Sequence, residues 1–214
     1  FQVEPMLLGV TVYISFVYGV LYLFFDAYPV VFRELHDMTP IQIGLTFVPL
    51  MVGCLLGTTY YVLFENKIYL KRLEKSPTNT VPPEFRLRLT MAAGPILTAS
   101  LFWFAWTSFS GISVWHPIVA GGFYGLGIFF IMNSLFTYMA DTYGVLTASA
   151  MAANTIVRSG FGVGFPLFAT QMYHKLNPRW ATTVLAFISL VLVPIPFLLF
   201  KFGPQMRAKT RYAI

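Results

Sequence analysis

The residues with chemistry to perform are few, and they sit inside hydrophobic sequence. Arg158 lies 13 residues past Val145 and 14 before Met172, in a run long enough to cross a bilayer. A guanidinium near mid-span costs about 2.5–3.5 kcal/mol on insertion scales, so Arg158 needs a counter-charge, a set of carbonyls or a water-filled cavity. Two readings stand: an electrostatic latch or cavity-lining cation, and a structural cation bonded to backbone oxygens. Asp26 is the acid nearest in depth, with an expected axial gap to Arg158 of about 10 Å. It is read as attracting a cationic substrate or taking a proton, with a solvated carboxylate as the plain alternative. Asp141 falls 17 residues from Arg158, a full helix and turn away, so the two are not expected to touch.

Helical spacing collects these residues on faces. Thr11, Ser15, Tyr18, Tyr22 and Asp26 form one polar and aromatic stripe. Asn133, Thr137 and Asp141 step by four, and Thr147, Met151, Asn154, Arg158 and Gly162 share a face. Tyr18 and Tyr22, with Phe25, are suited either to stacking on an aromatic or cationic ligand or to plain helix contact. Asn133 and Asn154 carry amides that must bond a substrate or a neighbouring helix. Gly160, Gly162 and Gly164 followed by Pro166 predict a loosened, bent outer half for the arginine-bearing helix, suited either to a moving gate or to a static, packed kink.

Other chemistries lack their residues. No nucleophile, base and orienting group fall together, so no enzyme is expected. The Gly160-x-Gly162-x-Gly164 run follows no strand, so it is no nucleotide fingerprint. His36, His116 and His174 are placed in external loops without metal-ligand spacing, and neither metal nor cofactor is expected. Cys54 is a single cysteine in apolar sequence and is read as a small buried hydrophobe.

What must position these residues is a bundle of membrane helices. Of the 214 residues 57% are hydrophobic and only 10% charged, against about 25% charged in soluble domains. Six spans are expected at 6–32, 41–64, 89–110, 117–140, 145–172 and 179–200. The second opens on Thr39-Pro40-Ile41-Gln42, a capping box with proline in the first turn, and the sixth opens on Asn177-Pro178. The net charge of +6 is explained by side bias rather than nucleic acid. Six lysines and arginines fall in the 65–88 connection and four in the 201–214 tail, against Arg33, Lys175 and Arg179 on the other side. That asymmetry places the 65–88 loop and both termini of the segment in the cytoplasm. Asp141 then lies at the inner face, where it and the basic loop are suited to an inner clamp. The third and sixth spans carry only Thr, Ser and Trp as polar groups and are assigned to lipid. Glycine or alanine pairs at four-residue spacing (Gly53/Gly57, Gly121/Gly125, Ala148/Ala152, Gly160/Gly164) predict close helix approach. Tyr18-Gly19 with Phe24-Phe25 echoes Tyr124-Gly125 with Phe129-Phe130, as two inverted three-helix repeats would.

Several stretches carry a likeness: Gly19-Val20-Leu21-Tyr22-Leu23-Phe24-Phe25-Asp26-Ala27-Tyr28-Pro29, Pro83-Glu84-Phe85-Arg86-Leu87, Leu101-Phe102-Trp103-Phe104-Ala105-Trp106-Thr107-Ser108, Asp141-Thr142-Tyr143-Gly144, Ala152-Ala153-Asn154-Thr155, Arg158-Ser159 and Phe165-Pro166-Leu167-Phe168. In order and over nearly the whole chain, the sequence resembles the C-terminal six-helix half of a fungal major facilitator superfamily transporter of the drug:proton antiporter type. The position of Asp26 often holds Glu in that family. The resemblance implies a twelve-span protein whose halves rock about a central cavity, with this chain as spans seven to twelve and an N-terminal half as partner. It implies proton-coupled export of drugs, polyamines or other small organic molecules, in the plasma membrane rather than the vacuole, with proton-coupling residues mostly on the other half. The chain starts at Phe1 and reaches a span within five residues, so it reads as an excerpt. A non-transporting scaffold or receptor retaining the fold is the alternative.

Overall fold

The computed structural model describes residues 4–76, 80–109 and 111–209, and among these every regular element is helical. Helix α1 (Pro5–Pro29) starts with proline in its first turn and passes into a π turn, Val30–Glu34. Helix α2 (Pro40–Leu45) opens on the expected capping box: Thr39 Oγ1 accepts from the Gln42 backbone, and Gln42 Oε1 accepts from the Thr39 N–H at 2.9 Å. Helix α3 (Val48–Tyr60) continues through a π turn at Tyr61–Glu65 into α4 (Asn66–Lys75). A short 3₁₀ turn, Pro83–Arg86, leads into α5 (Leu87–Thr107). Helix α6 (Trp115–Tyr143) ends at Gly144, whose φ of 47° lies in the left-handed region that a side chain disfavours. A 3₁₀ turn (Gly144–Leu146) then starts α7 (Thr147–Leu192), and α8 (Pro194–Lys209) follows.

Among the described residues four stretches are long and apolar enough to cross a membrane: Pro5–Glu34, Pro40–Lys75, Pro83–Thr107 and Trp115–Ala208. At 94 residues the last is far too long for one crossing. It is interrupted at Gly144 and again at Asn177, where φ is 62° and ψ 151°.

Helix α6 sits at the centre. Its glycines meet α3 so closely that a Cβ on Gly125 would collide with the Leu50 carbonyl, and one on Gly53 with the Gly122 carbonyl. On another face Gly127 receives α5, with Leu97 Cβ 2.9 Å from where its own Cβ would stand. Tyr124 donates to the Val17 carbonyl of α1 at 2.7 Å. Helix α1 lies along the first part of α7, with Gly19 under the Phe165 ring. Helix α5 lies against the part of α7 beyond Asn177, joined by a buried Thr98–Ser189 hydrogen bond of 2.8 Å. The core is aromatic: Phe24 meets Phe104 at 5.2 Å and Tyr124 at 4.8 Å between ring centroids, geometry that adds to area burial.

The structure corrects several sequence expectations. The 65–88 connection is helical as far as Lys75, because Asn66–Lys75 is rich in helix formers and places Arg72 and Lys75 in its last turn, against the negative end of the dipole. Within the 201–214 tail, helix α8 runs to Lys209, and the last five residues lie outside the described ones. Across Gly160–Pro166 helix α7 keeps helical dihedrals; the break in them falls at Asn177, whose positive φ turns the chain before Pro178. Asn177 thus separates two helices at the expected opening of the sixth span, with Pro178 first in the helix that follows. His116 stands in the first turn of α6 and His174 inside α7, 3.8 Å from Glu34, rather than in loops. Thr98 and Ser189, from the expected third and sixth spans, bond each other between the two helices. Helix α5 is exposed along one stripe, through Arg88, Ala92, Pro95, Ala99, Trp103 and Trp106. Of the small-residue pairs, Gly53/Gly57 and Gly121/Gly125 make close approaches, whereas Gly160 and Gly164 would meet nothing within 4 Å.

Candidate functional site

The exposed apolar surface is uneven. Helix α3 turns little but Gly53 and Gly57 inward, and presents Met51, Leu55 and Leu56. The first part of α7 does the same with Ile156, Val163 and Leu167, the last 76% exposed. The guanidinium of Arg158 lies where α7 meets α1 and α6.

Arg158 stacks on two rings, its Cζ 4.8 Å from the Tyr18 centroid on α1 and 5.5 Å from that of Phe136 on α6. Its Nε is buried without a hydrogen-bond partner, and no ion pair reaches it among the described residues. Asn154, one turn before it, is fully buried and donates to Thr11 Oγ1 at 3.2 Å, tying α7 to α1, while its Oδ1 is left unpaired. Asn133, one turn before Phe136 on α6, holds a buried and unpaired Nδ2. A Cβ on Gly162 would stand 2.9 Å from the Tyr18 ring, so glycine there lets Tyr18 lie flat against α7. Tyr18 donates to the Tyr22 hydroxyl at 3.0 Å, and the rings continue as a ladder: Tyr18–Tyr22 at 4.8 Å, Tyr22–Phe25 at 5.8 Å and Phe25–Phe47 at 5.3 Å. Asp26 lies partly exposed one turn beyond Tyr22, with no ion pair among the described residues.

Tyr18, Tyr22, Asn154 and Arg158 are thus brought together, with Asn133 one turn from Phe136. Asp141 is elsewhere. It accepts from Arg86 Nε at 2.9 Å; Arg86 also donates to Tyr61 at 3.2 Å and stacks on Tyr69 at 3.7 Å. Beside it Glu84, 6% exposed, pairs with Arg207 of α8 at 2.9 Å. Gly160 and Gly164 border open space and Pro166 is half-buried within α7. A separate hollow of about 540 Å³ between α2, α3 and the start of α6, lined by Met38, Gln42, Leu45, Thr46 and Trp115 among others, contains none of these residues.

Sequence reasoning overlooked Phe136, although its place three residues after Asn133 on the same helical face would have revealed it. It also overlooked the Glu84–Arg207 pair, which no local spacing encodes because the partners lie 123 residues apart.

No family model matches the sequence, and no solved structure matches it. Curated proteins do. The chain is 42% identical over 212 residues to a citrinin biosynthesis cluster MFS transporter of Monascus ruber, covering 98% of this chain and 42% of that protein. It is 38% identical to the efflux pump atB of Aspergillus terreus over 214 residues, 98% of this chain and 45% of the pump. It is also 38% identical to the major facilitator superfamily multidrug transporter mdrA of Aspergillus fumigatus over 210 residues, 98% of this chain and 34% of that transporter. The chain spans less than half the length of these relatives. Its long apolar helices and these relatives agree on an integral membrane protein, and over nearly its whole length the chain is homologous to fungal MFS transporters and efflux pumps.

Proposed function

We propose that this chain is the C-terminal half of a major facilitator superfamily transporter that exports small organic molecules by alternating access, coupled to protons. The observation that carries the reading is Arg158, a half-buried cation with an unpaired Nε, held on rings between helices that leave wide apolar flanks uncovered. In this reading an N-terminal six-helix half covers those flanks, and the arginine faces the cavity between the halves.

Six spans follow if Trp115–Ala208 crosses three times, turning at Gly144 and Asn177. Helix contacts support two inverted three-helix repeats. The first span lies on the fifth through Gly19 and Phe165, as the fourth lies on the second through Gly125 and Leu50. The first also meets the sixth at Gly9 and Ile195, as the fourth meets the third at Gly127 and Leu97. The basic 65–88 segment and both termini of the chain face the cytoplasm by charge bias, with the plasma membrane as the site. Arg86–Asp141 and Glu84–Arg207 then form an inner clamp, and Gly160, Gly164 and Pro166 lie on the moving face.

The test is flux in proteoliposomes containing the full-length protein. Under an imposed pH gradient, uptake of at least one member of a dye panel spanning cationic, neutral and anionic molecules is expected, and it collapses with the gradient. Folded protein that moves no panel member faster than protein-free liposomes refutes the proposal.

A further inference from the structure

The polar groups around Arg158 share one character. The guanidinium is a full positive charge with no acid paired to it among the described residues. Asn133 offers a buried unpaired N–H₂ one turn from Phe136. Tyr22 accepts the Tyr18 hydrogen, so its own hydroxyl hydrogen remains to donate. The Asn154 Oδ1, on the residue that bonds Thr11, is a buried spare acceptor. The nearest acids are removed or engaged. Asp26 stands eight residues beyond Tyr18, about 12 Å along α1, and Asp141 is held by Arg86. A cationic ligand at this spot would meet the like charge of the guanidinium, whereas an anion would meet charge-assisted hydrogen bonds.

Shape adds to charge. Two rings, Tyr18 and Phe136, adjoin the guanidinium, and the ladder Tyr18–Tyr22–Phe25–Phe47 leads away from it. The outer rungs are open, Tyr22 being 37% and Phe25 52% exposed. A carboxylate seated on Arg158 therefore leaves its own ring alongside Tyr18 and Tyr22.

We propose that Arg158, Asn133 and the Tyr18–Tyr22 pair form a subsite for a planar aromatic acid, the carboxylate on the guanidinium and the ring against the tyrosines. This rests on the transporter reading above and narrows it: the preferred cargo at this site is an organic anion, and Asp26 at the far end of the ladder is not its anchor. No covalent step is involved.

Two xanthene dyes of similar size test it, fluorescein, an anion carrying a free carboxylate, and rhodamine 6G, an esterified cation. Equilibrium binding to the purified full-length protein is read by fluorescence polarisation, and flux in proteoliposomes is read separately. Wild type is expected to bind fluorescein at least tenfold more tightly than rhodamine 6G. Arg158→Gln is expected to weaken fluorescein about tenfold to a hundredfold, the range for a lost charge-assisted bond, with rhodamine 6G unchanged or tighter. Arg158→Lys, which keeps the charge without the planar fork, is expected to fall between. Asp26→Asn is expected to leave fluorescein unchanged within twofold. Equal or preferential binding of rhodamine 6G by wild type overturns the proposal. So does fluorescein binding indifferent to Arg158→Lys and Arg158→Gln, the result expected if another part of the protein seals the arginine with an acid. Should Arg158→Gln fail to fold, the wild-type dye comparison and Arg158→Lys still decide. Fluorescein binding of the expected pattern without gradient-driven flux of any dye would uphold this subsite and refute transport.

Discussion

Replacing Gly125 by alanine tests whether the α3–α6 seam is as close as the structure makes it. The added Cβ would collide with the Leu50 carbonyl oxygen and stand 2.9 Å from its carbon, both backbone atoms that no rotamer change can move. Ordinary carbon contacts lie at about 3.5–4.0 Å, so the helices must part by about 1 Å. A gap of that size forfeits a quarter to a half of each dispersion contact along the seam, and overpacking of this kind costs about 1–3 kcal/mol. Alanine recovers up to about 1 kcal/mol of helix propensity, which Gly160→Ala measures cleanly, because a Cβ there meets nothing within 4 Å. The steric cost is the difference between the two variants. At about 2–4 °C per kcal/mol for a unit of this size, Gly125→Ala is expected to melt several degrees below wild type and Gly160→Ala at or slightly above it. Intrinsic fluorescence of the purified full-length protein in detergent reads both. Cys54 supplies a local probe, since its thiol donates to the Gly125 carbonyl at 3.2 Å within the same seam. Gly125→Ala should speed its reaction with a maleimide, and Gly160→Ala should not. Equal melting shifts for the two variants, or unchanged Cys54 labelling in Gly125→Ala, would refute the close seam.

Asp141→Asn removes the charge that Arg86 Nε meets at 2.9 Å between side chains only 28% and 15% exposed. A loss of about 1–3 kcal/mol is expected, between the surface and fully buried limits, and a shift below the range of a surface pair in a denaturation series would contradict it. Thr98→Val and Ser189→Ala each strand one partner of the buried 2.8 Å bond between α5 and α7. Each is expected to cost about 1 kcal/mol, and the double variant less than the sum; strict additivity in a double-mutant cycle would show that the bond does not form.

Helices, caps and their hydrophobic lengths were legible because each depends on residues within one turn or one span. The Thr39–Gln42 capping box is an example, since its four atoms come from neighbouring residues. The facing of Tyr18, Asn154 and Arg158 was likewise visible, as residues one or two turns apart must share a face. Helix breaks were harder. Gly160–Pro166 has the composition of a kink, yet α7 keeps helical dihedrals through it, while the chain breaks at Asn177, whose φ of 62° and ψ of 151° are a conformation that asparagine does not announce. The 65–88 segment misled because charge suggested a loop, although the same residues make good helix.

Sequence alone determined that this is a helical membrane protein with one cation deep among apolar residues, because hydrocarbon demands that backbone bonds close within each helix and penalises charge wherever it falls. Tertiary structure decided what that cation meets. The ring of Phe136 arrives from another helix, and Arg86 reaches Asp141 across 55 residues. Those partnerships depend on which glycines let α3 and α6 touch and on how α1 lies along α7, and such contacts between distant faces leave no local pattern to read.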